Sequence, residues 1–252
     1  MFQRNLKKLM MTAVVAAGLL LGAPAKAEDF TKAQINELIH DYIMNNPQVI
    51  LDAVDAYQKK NIADRQAEAL ERNHDELFRD ENSPVLGNPK GDITVIEFFD
   101  YNCHYCKDVY TMLVKLTEED KNLKVIFKDF PILGPTSQTS AKWALAAHRQ
   151  KKYFDFHKAM MDHRGPLKNE DIEKAAEKIG LDMAAARSYV DGTSAMMQLE
   201  RNRTLAAQMS FNGTPSFVIN DESFSGVPDI DEMRSKIAAK RKQIAEKAGK
   251  KE

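Results

Sequence analysis

Ile93-Thr94-Val95-Ile96-Glu97-Phe98-Phe99-Asp100-Tyr101-Asn102-Cys103-His104-Tyr105-Cys106 is the stretch on which the fold turns. Its first half, Ile93 to Phe99, is a near-continuous apolar run, the pattern of a strand buried on both faces. A Cys-x-x-Cys follows at once, and a helical pattern runs from about Cys103 to Leu116. Lys124 to Phe130 reads as the next strand, stopped by Pro131. Strand, helix and strand at this spacing make a βαβ unit with a parallel pair.

Farther along, the patterns from Ser137 to Ser210 are all helical, with breaks near Gly165-Pro166 and Gly180. Asn212-Gly213-Thr214-Pro215 is a sharp turn. Ser216–Ile219 and Ser223–Ser225 then read as a short hairpin, and about Asp229–Lys247 as a closing helix. A βαβ half, a block of helices and a ββα half predict an α/β thioredoxin fold with a helical insertion at about 137–210.

Toward the N-terminus, residues 1–27 have the layout of a signal peptide. Arg4, Lys7 and Lys8 precede an apolar run from Leu9 to Gly22, and Ala25-Lys26-Ala27 offers a cleavage site. The run is short for a membrane span, which needs about 20 apolar residues. Export follows as the expectation. Losing four basic residues takes the formal charge from −1 to −5, which gives no reason to expect nucleic acid as a partner. Residues 28–80 carry apolar stripes at helical spacing, with Ile35, Leu38, Ile39, Tyr42 and Ile43 before Asn46-Pro47. Val49, Ile50, Val54 and Tyr57 follow it. The polar stretch Gln58–Arg72 reads as a solvated or flexible helix that can act as an arm. The stripes predict a helical region for self-association, a homo-oligomer with a trimer favoured over a dimer. The catalytic domain is then expected at 81–252.

Two cysteines, three residues apart, cannot staple a fold, because a Cys-x-x-Cys closes almost no loop. A zinc site would need more ligands, and c-type haem attachment would need His where Lys107 stands. The placement between buried strand and helix points to redox chemistry with no cofactor beyond the Cys103–Cys106 pair. Unpaired amides and the dipole at a helix start favour a Cys103 thiolate. Cys106, one turn on, can attack a mixed disulfide formed at Cys103. His104, if partly positive, would stabilise that thiolate further, and Tyr105 would shape the surface that meets substrate. Glu97 lies in an apolar strand, where a carboxylate is costly unless paired or functional. Lys128 on the adjacent strand is its expected partner, and the two could relay a proton for Cys106. Pro215 reads from spacing alone as an ordinary turn proline. A cis bond there would free the Thr214 backbone to pair with an extended substrate.

The run from Glu97 to Cys106, together with Gly213-Thr214-Pro215, resembles the signature pair of the DsbA-like family of periplasmic disulfide oxidoreductases. Phe154-Asp155-Phe156-His157 resembles a family segment too, and the likeness covers roughly residues 83–245. It implies Cys103 as nucleophile, Cys106 as resolving thiol, and a cis Pro215. The family's type member has Pro-His between its cysteines and Val before the proline, where this chain has His-Tyr and Thr. Threonine there is similar to the DsbC-type isomerases, which are oligomers. The N-terminal helices resemble those of members like Com1 and the suppressor of copper sensitivity C. The resemblance thus implies a periplasmic disulfide isomerase acting on exported cysteine-containing proteins, with a membrane partner that resets its redox state. A monofunctional dithiol oxidase is the alternative. A copper-binding envelope protein is the third reading, for which Met160, Met161, His157 and His163 are the candidates, although the two methionines read better as core.

Overall fold

The computed structural model describes residues 30–249, so the signal segment expected at 1–27 lies outside the described residues. Among those described, no helix is long and apolar enough to cross a membrane. The chain forms two compact units, divided between Tyr57 and Gln58.

In the first unit, α1 (Lys32–Asn45) starts at a reciprocal cap. Thr31 Oγ1 accepts the Gln34 amide at 3.3 Å, and Gln34 Oε1 accepts the Thr31 amide at 3.0 Å. Asn46-Pro47 turns the chain, as expected, into α2 (Gln48–Arg72). Ile35, Leu38, Ile39 and Tyr42 on α1 stay exposed, as do Val49, Ile50, Val54 and Tyr57 on α2.

Gln58–Arg72 is the expected solvated helix over most of its length and departs from that reading at its end. Helix α2 runs unbroken to Arg72, and its Ala69 and Leu70 are buried in the core of the second unit. Leu77, on the short α3 (His74–Phe78), joins them. The catalytic body therefore begins well before the boundary expected at 80/81. One alanine and two leucines carry the contact, too sparse a signal to stand out from the charges around them.

The second unit is built on a five-stranded mixed sheet. Its strands are β1 (Val85–Gly87), β2 (Ile93–Phe99), β3 (Leu123–Asp129), β4 (Ser216–Ile219) and β5 (Glu222–Ser225), in the order β1-β3-β2-β4-β5. Strands β2 and β3 are parallel, joined by the crossover helix α4 (His104–Glu119), and the other pairs are antiparallel. Between β3 and β4 lie α5 (Pro135–Arg149), α6 (Tyr153–Asp162), α7 (Asn169–Lys178), α8 (Met183–Asp191) and α9 (Thr193–Gln208), the expected insertion. Helix α10 (Ile230–Gly249) closes the fold.

Alternation along the strands sorts side chains to two cores. Val95, Phe99, Val125 and Phe127 face α4, α6 and α10, while Ile96, Phe98, Ile126 and Val218 face the end of α2, α3 and α9. Both faces of β2 are thus covered, which is why its sequence reads as an unbroken apolar run. Gly87 marks a tight approach. Its φ is +78°, and a Cβ would stand 2.5 Å from the Leu123 carbonyl oxygen.

Candidate active site

Cys103 is the N-cap of α4, with φ −76° and ψ 114°, just outside the helical region. Its Sγ accepts the Cys106 amide at 3.4 Å and donates to the Thr214 carbonyl oxygen at 3.3 Å. Hydrogen bonds from the Cys106 thiol, at Thr214, and from the Cys106 and Tyr105 amides outweigh burial and bring the Cys103 thiol down to about 6. Cys106 is fully buried, and burial, the Cys103 sulfur and Glu97 all push its thiol far up. One thiol is ready to attack at neutral pH and the other holds its proton.

The loops flanking Cys103 are tied by Asp100. Its Oδ2 accepts the Ile132 and Leu133 amides at 2.8 and 2.9 Å, and its Oδ1 accepts the Asn102 amide at 2.8 Å. Asn102 Nδ2 reaches on to Thr136 Oγ1 and Ser137 Oγ at the start of α5. On the other side, the Thr214–Pro215 bond is cis, and Ser216 Oγ donates to the Gly213 carbonyl at 2.8 Å. Tyr105 projects into solvent beside the thiols.

Glu97 is fully buried on the face of β2 that looks toward α4. Among the described residues neither carboxyl oxygen has a hydrogen-bond partner. Burial first, then the charge on Cys103, hold the carboxyl well above the usual carboxylate range. The expected pairing with Lys128 is absent. In the parallel register Glu97 stands opposite Phe127, and Lys128 opposite Phe98, so the two point to opposite faces of the sheet. Lys128 Nζ instead donates to the Glu76 carbonyl at 2.6 Å and to Asp80 Oδ2 at 3.2 Å. It anchors the segment around α3 and has no contact with the thiols.

His104 also departs from expectation. Its side chain is 76% exposed and turns along the helix to Asp108, 3.8 Å away, rather than toward Cys103. His157 lies inside a box of Phe99, Tyr101, Tyr110, Phe127 and Tyr153 rings, with Nδ1 hydrogen-bonded to Tyr101 Oη at 2.9 Å. Burial brings it down to about 3, so it is neutral. Met160 and Met161 are buried in the core beside it. Tyr101 takes His157 Nδ1, while His157 Nε2 and His163 Nε2 are buried without a hydrogen-bond partner among the described residues, and no cluster of three or more His, Cys, Asp or Glu side chains stands among them to hold copper. Sequence reading missed two charged residues here. Asp129 is buried on the same face as Glu97 with both oxygens unpartnered among the described residues, and burial pushes its carboxyl well up. Lys107, directly after Cys106, is also buried.

Glu97→Gln is expected to slow the step in which Cys106 attacks a mixed disulfide by at least about tenfold, leaving the first attack by Cys103 near wild type. Rapid-quench kinetics with a cysteine-containing peptide separate the two steps. Equal rates for both would leave Glu97 without a role in proton transfer.

Comparison with known proteins adds the lineage. Residues 94–238, more than half the chain, match the family described as DSBA-like thioredoxin domain. Residues 32–63 match the copper resistance protein ScsC N-terminal domain. A thioredoxin-like oxidoreductase from Silicibacter pomeroyi DSS-3 is 38% identical, with a TM-score of 0.64 over 67% of this chain and 97% of that one. A linker-deletion variant of Proteus mirabilis ScsC is 26% identical, with a TM-score of 0.67 over 87% of this chain and 99% of that one. Disulfide bond formation protein D of Bacillus subtilis is 24% identical over 61% of this chain and 75% of its own length. The chain spans only 24% of the length of a Salinispora arenicola Na(+)/H(+) antiporter that it also matches, at 24% identity. With the thiol pair at the start of α4 and the Thr214–Pro215 turn facing it, the chain belongs to the DSBA-like thioredoxin domain family of thiol–disulfide oxidoreductases.

Proposed function

We propose that this protein is a periplasmic disulfide isomerase, acting as an oligomer on exported proteins with wrongly paired cysteines. The observation that carries the isomerase reading is the exposed apolar surface of the first unit: Ile35, Leu38, Ile39, Tyr42, Val49, Ile50, Val54 and Tyr57. Burying a large apolar side chain contributes roughly 1.5–3 kcal/mol, so this surface calls for a cover. Copies of the same helices supply one, with a trimer favoured over a dimer. Several active sites then act on one substrate at high local concentration, which favours repeated exchange over a single oxidation.

In the reaction, the Cys103 thiolate attacks one sulfur of a substrate disulfide. A bond forms between Cys103 and that sulfur, and the other substrate sulfur leaves as a thiolate. That thiolate, or another on the substrate, can attack back and leave a rearranged disulfide with no net change in oxidation state. Alternatively Cys106 attacks Cys103 Sγ, which reduces the substrate and oxidises the enzyme. Cys106 must first lose its proton. In the mixed disulfide Cys103 is uncharged, so one of the two causes that hold Glu97 protonated is gone. Glu97 can then ionise and take the Cys106 proton. The Thr214 backbone beside Pro215 would pair with the substrate chain, and Tyr105 would meet its side chains. No cofactor takes part beyond the thiol pair. A membrane partner would restore the reduced state.

Deleting residues 28–57, and no further, leaves the buried Ala69, Leu70 and Leu77 in place. The shortened protein is expected to be a monomer that still oxidises dithiols but reactivates scrambled ribonuclease at least about tenfold more slowly. Light scattering and ribonuclease reactivation measure the two halves. A monomeric full-length protein, or undiminished reactivation by the deletion, moves the assignment to a monofunctional oxidase.

A further inference from the structure

Cys103 lacks the positive neighbour that His104 was expected to supply, and the next cation along α4 is Lys107. Lys107 lies four residues after Cys103, so the two share one side of the first turn of α4. Only 8% of Lys107 is exposed. Its Nζ donates to the His163 carbonyl oxygen at 2.6 Å, at the C-terminal cap of α6. Helix C-termini carry partial negative charge, which makes this a natural seat for an ammonium. Arg164 occupies the same helix end, with Nη1 donating to the Met161 carbonyl at 2.8 Å and the His163 carbonyl at 3.3 Å.

A buried ammonium with one hydrogen bond among the described residues is costly to hold. Burial and Arg164 push its pKa down, and only the charge on Cys103 pushes it up. The charged and titratable groups around the two are few. Glu97 on the sheet and Cys106 on α4 act on Cys103, Arg164 acts on Lys107, His104 and Asp108 pair with each other on α4, and Asp162 and His163 end α6. Of these, Glu97 is held neutral by burial, His104 is turned to Asp108, and Arg164 is spent on the carbonyls of α6.

We propose that Lys107 is a positioning residue for the nucleophile: its ammonium, anchored on the His163 carbonyl, is the fixed positive charge that favours the Cys103 thiolate. The thiol proton goes to solvent, and the lysine keeps its own. The helical insertion thereby holds the counter-charge of a thiol on the thioredoxin core. This deepens the reading given above and rests on Cys103 being the attacking thiol.

The test is the pH dependence of iodoacetamide alkylation of the reduced full-length protein, with the labelled cysteine assigned by mass spectrometry. Lys107→Met and Lys107→Gln are expected to raise the Cys103 midpoint by about half a pH unit or more, and Lys107→Arg to keep it near wild type. His104→Gln should move it less than either neutral substitution. Should methionine not yield folded protein by circular dichroism, glutamine and arginine carry the comparison. A midpoint unmoved in both neutral variants, with Cys103 still labelled first, overturns the role of Lys107 alone. So does a shift that arginine fails to reverse, or a larger shift in His104→Gln. Preferential labelling of Cys106 in the wild type overturns this role and the assignment of the nucleophile together.

Discussion

A Cys103→Ser protein is expected to lose disulfide exchange by more than about a thousandfold, whereas Cys106→Ser should attack substrates normally and stall as a mixed disulfide. The asymmetry follows from the two environments. With its thiol at about 6, Cys103 is mostly thiolate at pH 7. Cys106 is sealed from solvent and holds its proton firmly, so it cannot substitute as nucleophile. Serine at 103 is a far weaker nucleophile than a thiolate and cannot form a disulfide. Serine at 106 removes only the resolving attack. Non-reducing electrophoresis after mixing with a reduced, unfolded substrate and oxidant would show the trapped adduct. The rate of the first attack should be nearly flat above pH 7 and fall about tenfold per unit well below pH 6, as the thiolate is lost. A Cys103→Ser protein that still forms adducts through Cys106 would reverse the assignment.

The second large effect concerns stability. Asp80→Ala is expected to cost about 3–5 kcal/mol, because it strands the fully buried Lys128 ammonium with only the Glu76 carbonyl. Asp80 is held by more than the lysine: Ser83 Oγ donates to it at 2.9 Å and Gln198 Nε2 at 2.7 Å, which brings α9 to the same point. Burial alone would raise its carboxyl. The Lys128 charge and the hydrogen bonds from Asn82, Ser83 and Gln198 win, and bring it down to about 2. An acid whose folded value is depressed stabilises the fold above its unfolded value, near 4, and loses that contribution as pH falls toward 2. Urea unfolding at pH 7 measures the substitution, and the same titration at pH 3 should find the wild type weakened. Removing both partners, as Asp80→Ala with Lys128→Met, should cost less than Asp80→Ala alone, since no buried charge is then stranded. An Asp80→Ala protein with the wild-type midpoint would show that packing holds this junction without the ion pair.

The sequence made the thioredoxin core legible where local pattern and global fold agree. Ile93–Phe99 had to be a central strand because both its alternating faces are apolar. Cys103 had to cap a helix because the pattern changes period there. The insertion and the closing hairpin were legible for the same reason. Strand register was not. Reading β3 correctly to within a residue still left open which side chain stands opposite Glu97, and one step exchanges Phe127 for Lys128. The reach of α2 into the core was hidden because Ala69 and Leu70 sit in a run dominated by charge. Lying between the cysteines, His104 is the cation that sequence position points to. Spacing by one helical turn was the signal available for the lysine, and its burial depends on α6, some fifty residues away, which no local pattern reports.

The displacement of Lys128 to the far side of the sheet from Glu97 has a further meaning. The β-sheet is a partition between two electrostatic compartments. On one side stand Glu97 and the thiols, where the proposed exchange would move protons and electrons. On the other, Lys128 and Asp80 pin α3 and α9 with charges that turnover does not change. A sequence drifting toward a stronger oxidant or a better reductant could therefore rewrite the thiol side residue by residue while its fastening stays the same. Residues separated in this way, with no shared partners, contribute to stability nearly independently. The fold can in this sense explore redox potential without risking its own collapse.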